Sequence, residues 1–350
     1  MKAWKVMAPS APLELIEEAT PVPTGTEVII AVTHCGVCHS DLHFWKGEYN
    51  MGGGKTMRLS ERGVTLPRAP GHEVAGRVVA LGPDATGVKL GDLRVVFPWL
   101  GCGQCHYCNS ERDNMCAAPA SIGVVRDGGY GSHVVVPHSR YLADPGTVDL
   151  ALAATYACSG LTVYSAVNKI MPLDPEEPVL LIGAGGLGLM AVAMLLAFGH
   201  RNIVSVDIDA GKREAAIAEG ARQTLDGKAP DLVQQVLDSC GATAAVLDFV
   251  GSDATARAGF DTLAKGGSYI VVGVAGGELT VSLAGMIFGA KSVRGSLTGN
   301  PQDLRAVLAL ANSGKLKPTP VTLCAHDKVN EALLNLHDGK VTGRLVLVRE

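Results

Sequence analysis

The sequence predicts an α/β protein of two domains, in which a mostly antiparallel β domain accompanies a doubly wound parallel sheet. Up to about residue 141, short β-rich runs such as EVIIAV, VAGRVVAL and SHVVV are separated by Gly, Pro and Asp turns, which is typical of antiparallel strands. After about residue 159, strands such as PVLLIGAG and NIVSVDI alternate with helical stretches rich in alanine and leucine, which indicates parallel strands joined by βαβ crossovers. At 350 residues the chain is also longer than one core usually supports.

The C-terminal segment differs from the alternating region before it. From near residue 296 it carries two helical stretches, PQDLRAVLALANSG and VNEALLNLHDG, and the strand RLVLV. We expect this tail to rejoin the first domain. The predicted division is therefore a discontinuous β domain of residues 1–159 and 296–350, and a parallel-sheet domain of residues 160–295.

The composition excludes several classes of protein. Hydrophobic residues make up 47% of the chain and charged residues 18%, so the chain can bury large cores and is not disordered. The formal net charge of −4 offers no positive field for a nucleic acid or an anionic membrane. The N-terminus MKAWKVMAPSAPLEL lacks the apolar segment of a signal peptide, and the cysteine count of 9 is odd, which argues for a reducing compartment. We therefore expect a cytoplasmic protein whose clustered cysteines bind metal or do chemistry.

One uncharged stretch, residues 178–198, is long enough to span a bilayer. Its sequence, PVLLIGAGGLGLMAVAMLLAF, contains a cluster of glycines, after which alanine, leucine and methionine dominate. This pattern favours a strand, a glycine turn and a buried helix over a membrane span.

The pattern G-x-G-x-x-G occurs within that stretch, at Gly183, Gly185 and Gly188. It follows a β-rich run and opens an alanine-rich helix, the context in which it is a Rossmann dinucleotide-binding fingerprint. Asp207 closes the next predicted strand, where a carboxylate accepts hydrogen bonds from the adenosine ribose and repels a 2′-phosphate. The sequence therefore predicts NAD rather than NADP as cofactor, a preference that Lys212 and Arg213 nearby would soften.

A cluster of four cysteines has the spacing C-x2-C-x2-C-x7-C, at Cys102, Cys105, Cys108 and Cys116. Four thiolates close a tetrahedral shell around zinc, as in a structural site. An iron–sulfur centre is an alternative, since C-x2-C-x2-C resembles ferredoxin spacing, although the proline that follows the last cysteine there is missing here. A nucleic-acid finger is disfavoured because Glu111 and Asp113 flank the single Arg112. We expect a structural zinc that does no chemistry.

Further potential ligands are scattered along the chain. Cys38 lies in CGVCHSDLH, His72 in PGHEVAG and Cys158 in ACSGLTVY. By themselves these are weak signals, because a lone buried cysteine is usually a small hydrophobe. Cys35 and Cys38 also form a C-x2-C pair, but no thioredoxin-like pattern surrounds them.

The stretches CGVCHSDLHFWKGEY, GHEVAGRVVALG, the four-cysteine cluster, CSGLTVY and GAGGLG occur in the order and spacing of the zinc-dependent medium-chain alcohol dehydrogenases. The chain resembles the microbial, NAD-dependent members of this family from near residue 5 to its C-terminus. The resemblance implies a GroES-like catalytic domain and a Rossmann domain, with NAD and two zinc ions per chain. It also implies reversible oxidation of an alcohol to an aldehyde or ketone.

By resemblance, the catalytic zinc has three protein ligands, Cys38, His72 and Cys158. Three ligands leave one coordination position for water or an alcohol. Glu73 corresponds to a carboxylate near the metal, and Asp41 to the carboxylate that holds the imidazole of His72 in its tautomer. Ser40 corresponds to the hydroxyl that hydrogen-bonds the substrate oxygen, and His43 to the outer end of a proton relay.

Four more residues correspond to coenzyme contacts in the family. The resemblance implies that His39 and Arg344 contact the pyrophosphate and that Lys212 contacts the adenosine ribose. It also places Thr162 near the nicotinamide.

Trp45 and Trp99 occupy positions that line the substrate pocket in relatives, which implies a narrow slot for a primary alcohol. A long polar segment, residues 49–68, contains three successive glycines and either covers the cleft or reshapes it for an aromatic or allylic alcohol. Alternatives on this scaffold are a polyol or an S-hydroxymethyl-thiol dehydrogenase. An alternative from another class is a non-catalytic NAD(H)-binding zinc protein. By analogy we expect a homo-oligomer, a tetramer rather than a dimer.

Overall fold

The computed structural model describes residues 1–349. The strands are β1 (Lys2–Lys5), β2 (Glu14–Glu17), β3 (Val28–Val37), β4 (Glu48–Asn50), β5 (Thr56–Arg58), β6 (Glu73–Leu81), β7 (Leu93–Val96), β8 (His133–Val136), β9 (Leu142–Ala143), β10 (Val179–Ile182), β11 (Ile203–Asp207), β12 (Gln223–Asp226), β13 (Thr243–Asp248), β14 (Leu263–Val271), β15 (Ser292–Gly295), β16 (Val321–Ala325) and β17 (Arg344–Val348). The helices are α1 (His39–Lys46), α2 (His106–Asn109), α3 (Leu150–Thr155), α4 (Leu161–Asn168), α5 (Gly186–Ala197), α6 (Ala210–Glu219), α7 (Leu232–Cys240), α8 (Asp253–Thr262), α9 (Leu283–Gly289), α10 (Pro301–Asn312) and α11 (Val329–His337).

Strands β10 to β15 form a parallel sheet with the spatial order β12-β11-β10-β13-β14-β15. Numbered within the sheet, this is the order 3-2-1-4-5-6 of a doubly wound dinucleotide-binding fold. The central strand β10, VLLI, is buried at every position, as a parallel strand inside such a sheet must be. The predicted parallel sheet is confirmed, and residues 178–198 contain the strand β10 and the helix α5, as predicted.

The second large sheet is mostly antiparallel and takes strands from both ends of the chain. Its order is β16-β17-β3-β6-β7-β9, with β8 pairing to β3. The C-terminal strand β17 pairs antiparallel with β3, which places Leu345 opposite Val37. The predicted antiparallel β layer is therefore confirmed, and the tail of the chain contributes two strands to it.

One helical run in the described residues, Leu150–Asn168, has the length and apolar composition of a membrane span. It comprises α3, a π-helical turn at Tyr156–Gly160, and α4. Its mean hydropathy is 1.4, and 83% of the segment is buried inside the protein. There α4 packs against α5, and α3 packs against strand β3 of the antiparallel sheet. A π-helical turn within an α-helix often marks a functional position, and this one carries Cys158.

The polar segment of residues 49–68 is folded rather than irregular. The strands β4 and β5 pair as a hairpin, and a 3₁₀ turn follows at Leu59–Arg62. The hairpin tip needs glycine, because Gly52, Gly53 and Gly54 all have positive φ, at 79°, 54° and 73°. Each strand has only three residues, too few for a periodic signal, which is why the sequence indicated a loop.

Candidate active site

Three side chains distant in the sequence meet in the interior between the two large sheets. Cys38 precedes α1, His72 precedes β6, and Cys158 comes from the π-helical turn. The Sγ atoms of Cys38 and Cys158 are 4.0 Å apart. Together with Glu73, each residue offers a ligand atom within 4.8 Å of the others, and all four residues are buried. The structure therefore brings together the residues expected at a catalytic metal site.

Asp41 fixes the orientation of the His72 imidazole. The Oδ1 atom of Asp41 lies 3.1 Å from Nδ1 of His72 and accepts a hydrogen bond from the backbone N–H of Gly71 at 3.2 Å. Its Oδ2 atom accepts from the backbone N–H of Cys38 at 2.9 Å and from the Tyr130 hydroxyl at 3.2 Å. Because this carboxylate accepts hydrogen bonds, it selects the tautomer with the proton on Nδ1. Nε2 of His72 is left with a free lone pair.

The donor set fits a zinc ion. The Nε2 atom of His72 is buried and has no hydrogen-bond partner among the described residues, a costly arrangement unless a ligand occupies the position. Tetrahedral geometry with Zn–S bonds of about 2.3 Å requires sulfur atoms roughly 3.8 Å apart, close to the observed separation. The hydrogen bond from Cys158 and the proximity of His72 hold the pKa of the Cys38 thiol well below its usual range, which favours the thiolate that a metal needs.

Glu73 connects this cluster to the coenzyme side of the protein. Its Oε1 atom is ion-paired with the buried guanidinium of Arg344. Its Oε2 atom has no partner and lies where a Cβ on Gly36 would be only 1.9 Å away. Burial raises the pKa of Glu73 to about 7. Arg344 in turn lies against Gly186: a Cβ added to Gly186 would be only 2.5 Å from Cδ of Arg344. Sequence reasoning missed this pair, which joins residues far apart in the chain.

The second metal cluster is formed by Cys102, Cys105, Cys108 and Cys116, whose ligand atoms also lie within 4.8 Å of one another. The Sγ separations are 4.0 Å for Cys102 and Cys108, 3.5 Å for Cys105 and Cys108, and 3.7 Å for Cys105 and Cys116. These distances leave room for a single tetrahedral ion and not for an iron–sulfur cluster, which holds its cysteines on separate irons.

The glycine-rich turn lies at the carboxyl end of β10, where the strand order of the sheet reverses. Gly183 has a φ of 95°, and a Cβ on Gly188 would be 1.9 Å from the Gly183 carbonyl oxygen. Gly185 caps α5 without a side-chain hydrogen bond, and a Cβ there would meet nothing within 4 Å. The free N–H groups of α5 therefore face open space that suits a pyrophosphate.

The residues expected to contact the coenzyme surround this turn. Oδ2 of Asp207 accepts a hydrogen bond from the backbone of Ala184 at 2.7 Å, so the carboxylate sits at the turn itself. Burial lowers the pKa of His39; the Cys38 thiolate raises it, and the positive charges of Arg344 and Lys212 lower it.

Thr162 and Arg213 are two further polar residues near the coenzyme site. Thr162 follows Cys158 by one helical turn, and its buried hydroxyl has no partner in the described residues. Arg213 donates to the carbonyl of Asp207 at 2.8 Å and lies 3.5 Å from Asp226, so its charge is already engaged.

The two tryptophans expected in the substrate pocket have different neighbours. Trp99 lies against His72, with ring centroids 5.1 Å apart. Trp45 instead donates its indole N–H to the Ala11 carbonyl at 2.6 Å and meets His337 edge-on at 6.2 Å. These contacts place Trp45 between the N-terminal segment and α11, and its expected place in the substrate pocket stays a prediction.

The aromatic ring beside the expected proton relay is Tyr49. It stacks on His43 with a centroid separation of 5.1 Å and an interplanar angle of 23°. Ser40 and His43, both half-buried, lie three residues apart on α1 and so share one face of that helix. Tyr49 was missed because it lies in the three-residue strand β4 that leads to the glycine-rich hairpin tip, where no pattern distinguished it from the polar residues around it.

Comparison with known proteins identifies the family. The family described as "Alcohol dehydrogenase GroES-like domain" matches residues 24–145, and that described as "Zinc-binding dehydrogenase" matches residues 186–313. A "NAD-dependent alcohol dehydrogenase" of Saccharolobus solfataricus is 36% identical over 352 residues, which cover 99% of this chain and 100% of the relative. A "D-arabinose 1-dehydrogenase (NADP(+))" of the same organism is 33% identical, with 97% of this chain and 95% of the relative covered. The crystal structure of an alcohol dehydrogenase from Aeropyrum pernix superposes with a TM-score of 0.91 at 30% identity and covers 100% of both chains.

The chain therefore belongs to the zinc-dependent medium-chain alcohol dehydrogenases, and the resemblance inferred from its motifs is confirmed. It is an NAD-dependent alcohol dehydrogenase whose cofactors are NAD and zinc. The non-catalytic alternative is thereby excluded.

Proposed function

We propose that this dehydrogenase reversibly oxidises a primary alcohol, preferably an aromatic or allylic one, to the aldehyde. The observation that carries the proposal is the buried imidazole of His72. Its Nδ1 is held by Asp41, its Nε2 has no protein partner, and two cysteine thiols lie beside it. A non-functional core would not hold such a costly set of polar groups.

The residues around the metal position have separable tasks in this proposal. Cys38, His72 and Cys158 would hold zinc, which supplies Lewis-acid catalysis that lowers the pKa of an alcohol oxygen. Ser40 accepts the hydroxyl proton in a hydrogen bond, and His43, on the same face of α1, passes the proton toward solvent. Cys102, Cys105, Cys108 and Cys116 would hold the second zinc, with a structural role.

The residues around the glycine-rich turn place the coenzyme. The N-terminus of α5 and the guanidinium of Arg344 neutralise the pyrophosphate, to which His39 adds a further contact. Asp207 and Lys212 bind the adenosine ribose, and the hydroxyl of Thr162 positions the nicotinamide. The Asp207 carboxylate disfavours a 2′-phosphate, so NAD is the coenzyme even though a relative is named for NADP.

Two aromatic rings support a flat alcohol as substrate. Trp99 packs on His72 and Tyr49 packs on His43, so the reacting carbon would lie between apolar ring surfaces. The similarity to a D-arabinose dehydrogenase favours a polyol or sugar as the second candidate.

A substrate panel with NAD tests this proposal. The panel comprises ethanol, benzyl alcohol, cinnamyl alcohol, sorbitol, D-arabinose and an S-hydroxymethyl thiol adduct. We expect the highest kcat/KM with benzyl or cinnamyl alcohol. The highest kcat/KM with sorbitol or D-arabinose would instead indicate a polyol or sugar dehydrogenase. The highest kcat/KM with the thiol adduct would indicate an S-hydroxymethyl-thiol dehydrogenase.

We further propose that the chain acts as a homotetramer. The outer strand β15 of the parallel sheet is exposed at all four positions, and α9 beside it exposes Leu283, Ile287 and Phe288 by 75–79%. Exposed strand edges and large apolar patches of this kind are typical of surfaces between subunits. Light scattering of the purified protein and of Phe288→Asp tests the proposal, since the variant should dissociate at this edge.

We also propose a division into two domains and a cytoplasmic location. Residues 1–159 with 296–350, and residues 160–295, agree with the distribution of strands between the two large sheets. A cytoplasmic location agrees with the free thiols of all nine cysteines in the described chain.

A further inference from the structure

The hairpin formed by β4 and β5 reaches from the antiparallel sheet to the coenzyme-binding sheet. The side-chain amide of Asn50 donates to the carbonyl of Ala275, in the segment between β14 and α9, at 3.2 Å. A Cβ on Gly52 would lie 2.9 Å from Cγ of Glu278 in the same segment. Residues 49–68, which contain this hairpin and are called the wall below, therefore contact the coenzyme-binding domain.

This wall is positively charged in a chain that is negative overall. Residues 49–68 contain four cations and one anion, whereas the whole chain has a formal net charge of −4. Arg68 is paired with Asp127 at 3.3 Å. In the part of the chain that the structure describes, three cations of the wall have no ion-pair partner: Lys55, Arg58 and Arg62.

One of these cations is next to the ring that contacts the relay. The guanidinium carbon of Arg62 lies 5.1 Å from the ring centroid of Tyr49, which is itself stacked on His43. Burial raises the pKa of Tyr49, and the positive charge of Arg62 lowers it. Arg62 closes a 3₁₀ turn that ends at Gly63 in the left-handed conformation, which fixes the backbone beneath the guanidinium.

We propose that Arg62 determines substrate specificity by binding a carboxylate at the end of the alcohol remote from the reacting carbon. The inference rests on the proposed function, and it narrows the substrate class to primary alcohols that carry a negative charge. A substrate ring or chain lying along Tyr49 would reach from the metal position to the guanidinium. There a planar fork of N–H donors matches the geometry of a carboxylate. The cation–π contact with Tyr49 explains the position of Arg62 but does not neutralise its charge.

Matched substrate pairs separate these two interpretations. In the zinc-loaded enzyme with NAD, kcat/KM is measured for para-(hydroxymethyl)benzoate against its neutral amide, and for ω-hydroxyhexanoate against its neutral amide. The acid-to-amide ratio is compared in the native enzyme, in Arg62→Gln and in Arg62→Lys. Arg58→Gln is the matched control, because Arg58 is an exposed, unpaired arginine of the same hairpin without the contact to Tyr49.

We expect the acid-to-amide ratio to fall about tenfold in Arg62→Gln, mainly through KM of the acid, with partial recovery in Arg62→Lys. Arg58→Gln should keep the native ratio. Raising the ionic strength should lower the ratio of the native enzyme toward that of Arg62→Gln, because the guanidinium is exposed to solvent.

Three results would overturn the inference. An equal ratio in the native enzyme and Arg62→Gln, with the amides turned over, defeats it and leaves the proposed function standing. An equal fall of the acid-to-amide ratio in Arg58→Gln and Arg62→Gln shows that the overall positive charge of the hairpin attracts the acid, without a specific contact to Arg62. Absence of turnover with both members of each pair, alongside turnover of sorbitol or D-arabinose, defeats the proposed function and this inference together.

Discussion

Asp41→Asn preserves the size of a buried side chain while removing its charge beside the metal position. In the native protein, four donors point at this carboxylate: the backbone N–H groups of Cys38 and Gly71, the Nδ1–H of His72 and the hydroxyl of Tyr130. Asparagine has one oxygen that accepts and one amide group that donates. Two of the four donors must therefore face another donor.

The magnitude follows from these contacts. The Tyr130 hydroxyl can rotate and accept from the new amide, which leaves the backbone N–H of Cys38 buried without an acceptor. An unsatisfied buried donor costs about 1–3 kcal/mol of stability. Weakening the hydrogen bond that orients a ligating histidine lowers metal affinity by about 10–100-fold, which is about 1.4–2.7 kcal/mol. We therefore expect Asp41→Asn to unfold more easily by about 2 kcal/mol and to lose one zinc ion preferentially.

Chelator titration followed by native mass spectrometry measures the loss. The zinc at Cys38, His72 and Cys158 should leave Asp41→Asn at a chelator concentration about tenfold or more below that needed for the native enzyme. The zinc of the four-cysteine cluster should be unaffected and serves as an internal reference.

Asp113→Asn is the matched control for this titration. Asp113 is equally buried, but it accepts from Arg140 and Tyr141 beside the four-cysteine cluster. It should leave the catalytic zinc in place. Release of both zinc ions from Asp41→Asn at the chelator concentrations of the native enzyme would show that Asp41 does not orient the His72 ligand.

Three further substitutions test other parts of the account. Cys105→Ala should lose the structural zinc and about 2–4 kcal/mol of stability, measured by denaturant unfolding, and a fully stable variant would argue against a structural role. Asp207→Ser should lower the ratio of kcat/KM with NAD to that with NADP by about tenfold or more, because the repulsion of the 2′-phosphate disappears, and an unchanged ratio would contradict the assignment. Gly36→Ala places a Cβ 1.9 Å from Oε2 of Glu73 and must displace this carboxylate. We expect kcat to fall by about 100-fold in a protein that still folds and binds NADH. Near-native turnover would show that Glu73 is dispensable.

The sequence predicted the strands whose apolar runs are long and buried, and missed those at sheet edges. β3, β6, β10 and β11 all coincide with predicted β-rich runs. β12 (QTLD) and β15 (SVRG) are short, polar or exposed, and they adopt the strand conformation because a neighbouring strand offers hydrogen bonds. That cause lies in the tertiary structure and leaves little trace in the local sequence.

The same distinction applies to the site. Ligands carried by compact motifs, such as Cys38 and His72, could be assigned from sequence, and the structure brings them together. The ion pair of Glu73 with Arg344 depends on the antiparallel pairing of β17 with β3, and no local sequence pattern predicts that pairing.

The different contacts of Trp45 and Tyr49 have a similar origin. Both are aromatic residues close to His43 in the sequence, and only the turn at the end of α1 decides which ring stacks on it. Trp45 is directed to Ala11 and His337 instead. Residue type and spacing alone do not separate the two arrangements.

We infer that Cys38, His72 and Cys158 hold a catalytic zinc distinct from the zinc of the four-cysteine cluster. Zinc counted per chain by native mass spectrometry, together with NADH binding and turnover, tests it most directly in the native enzyme and in Cys38→Ala. We predict two zinc ions in the native chain, and one in Cys38→Ala, with NADH binding retained and turnover abolished. A Cys38→Ala variant that keeps two zinc ions and native turnover would contradict the claim.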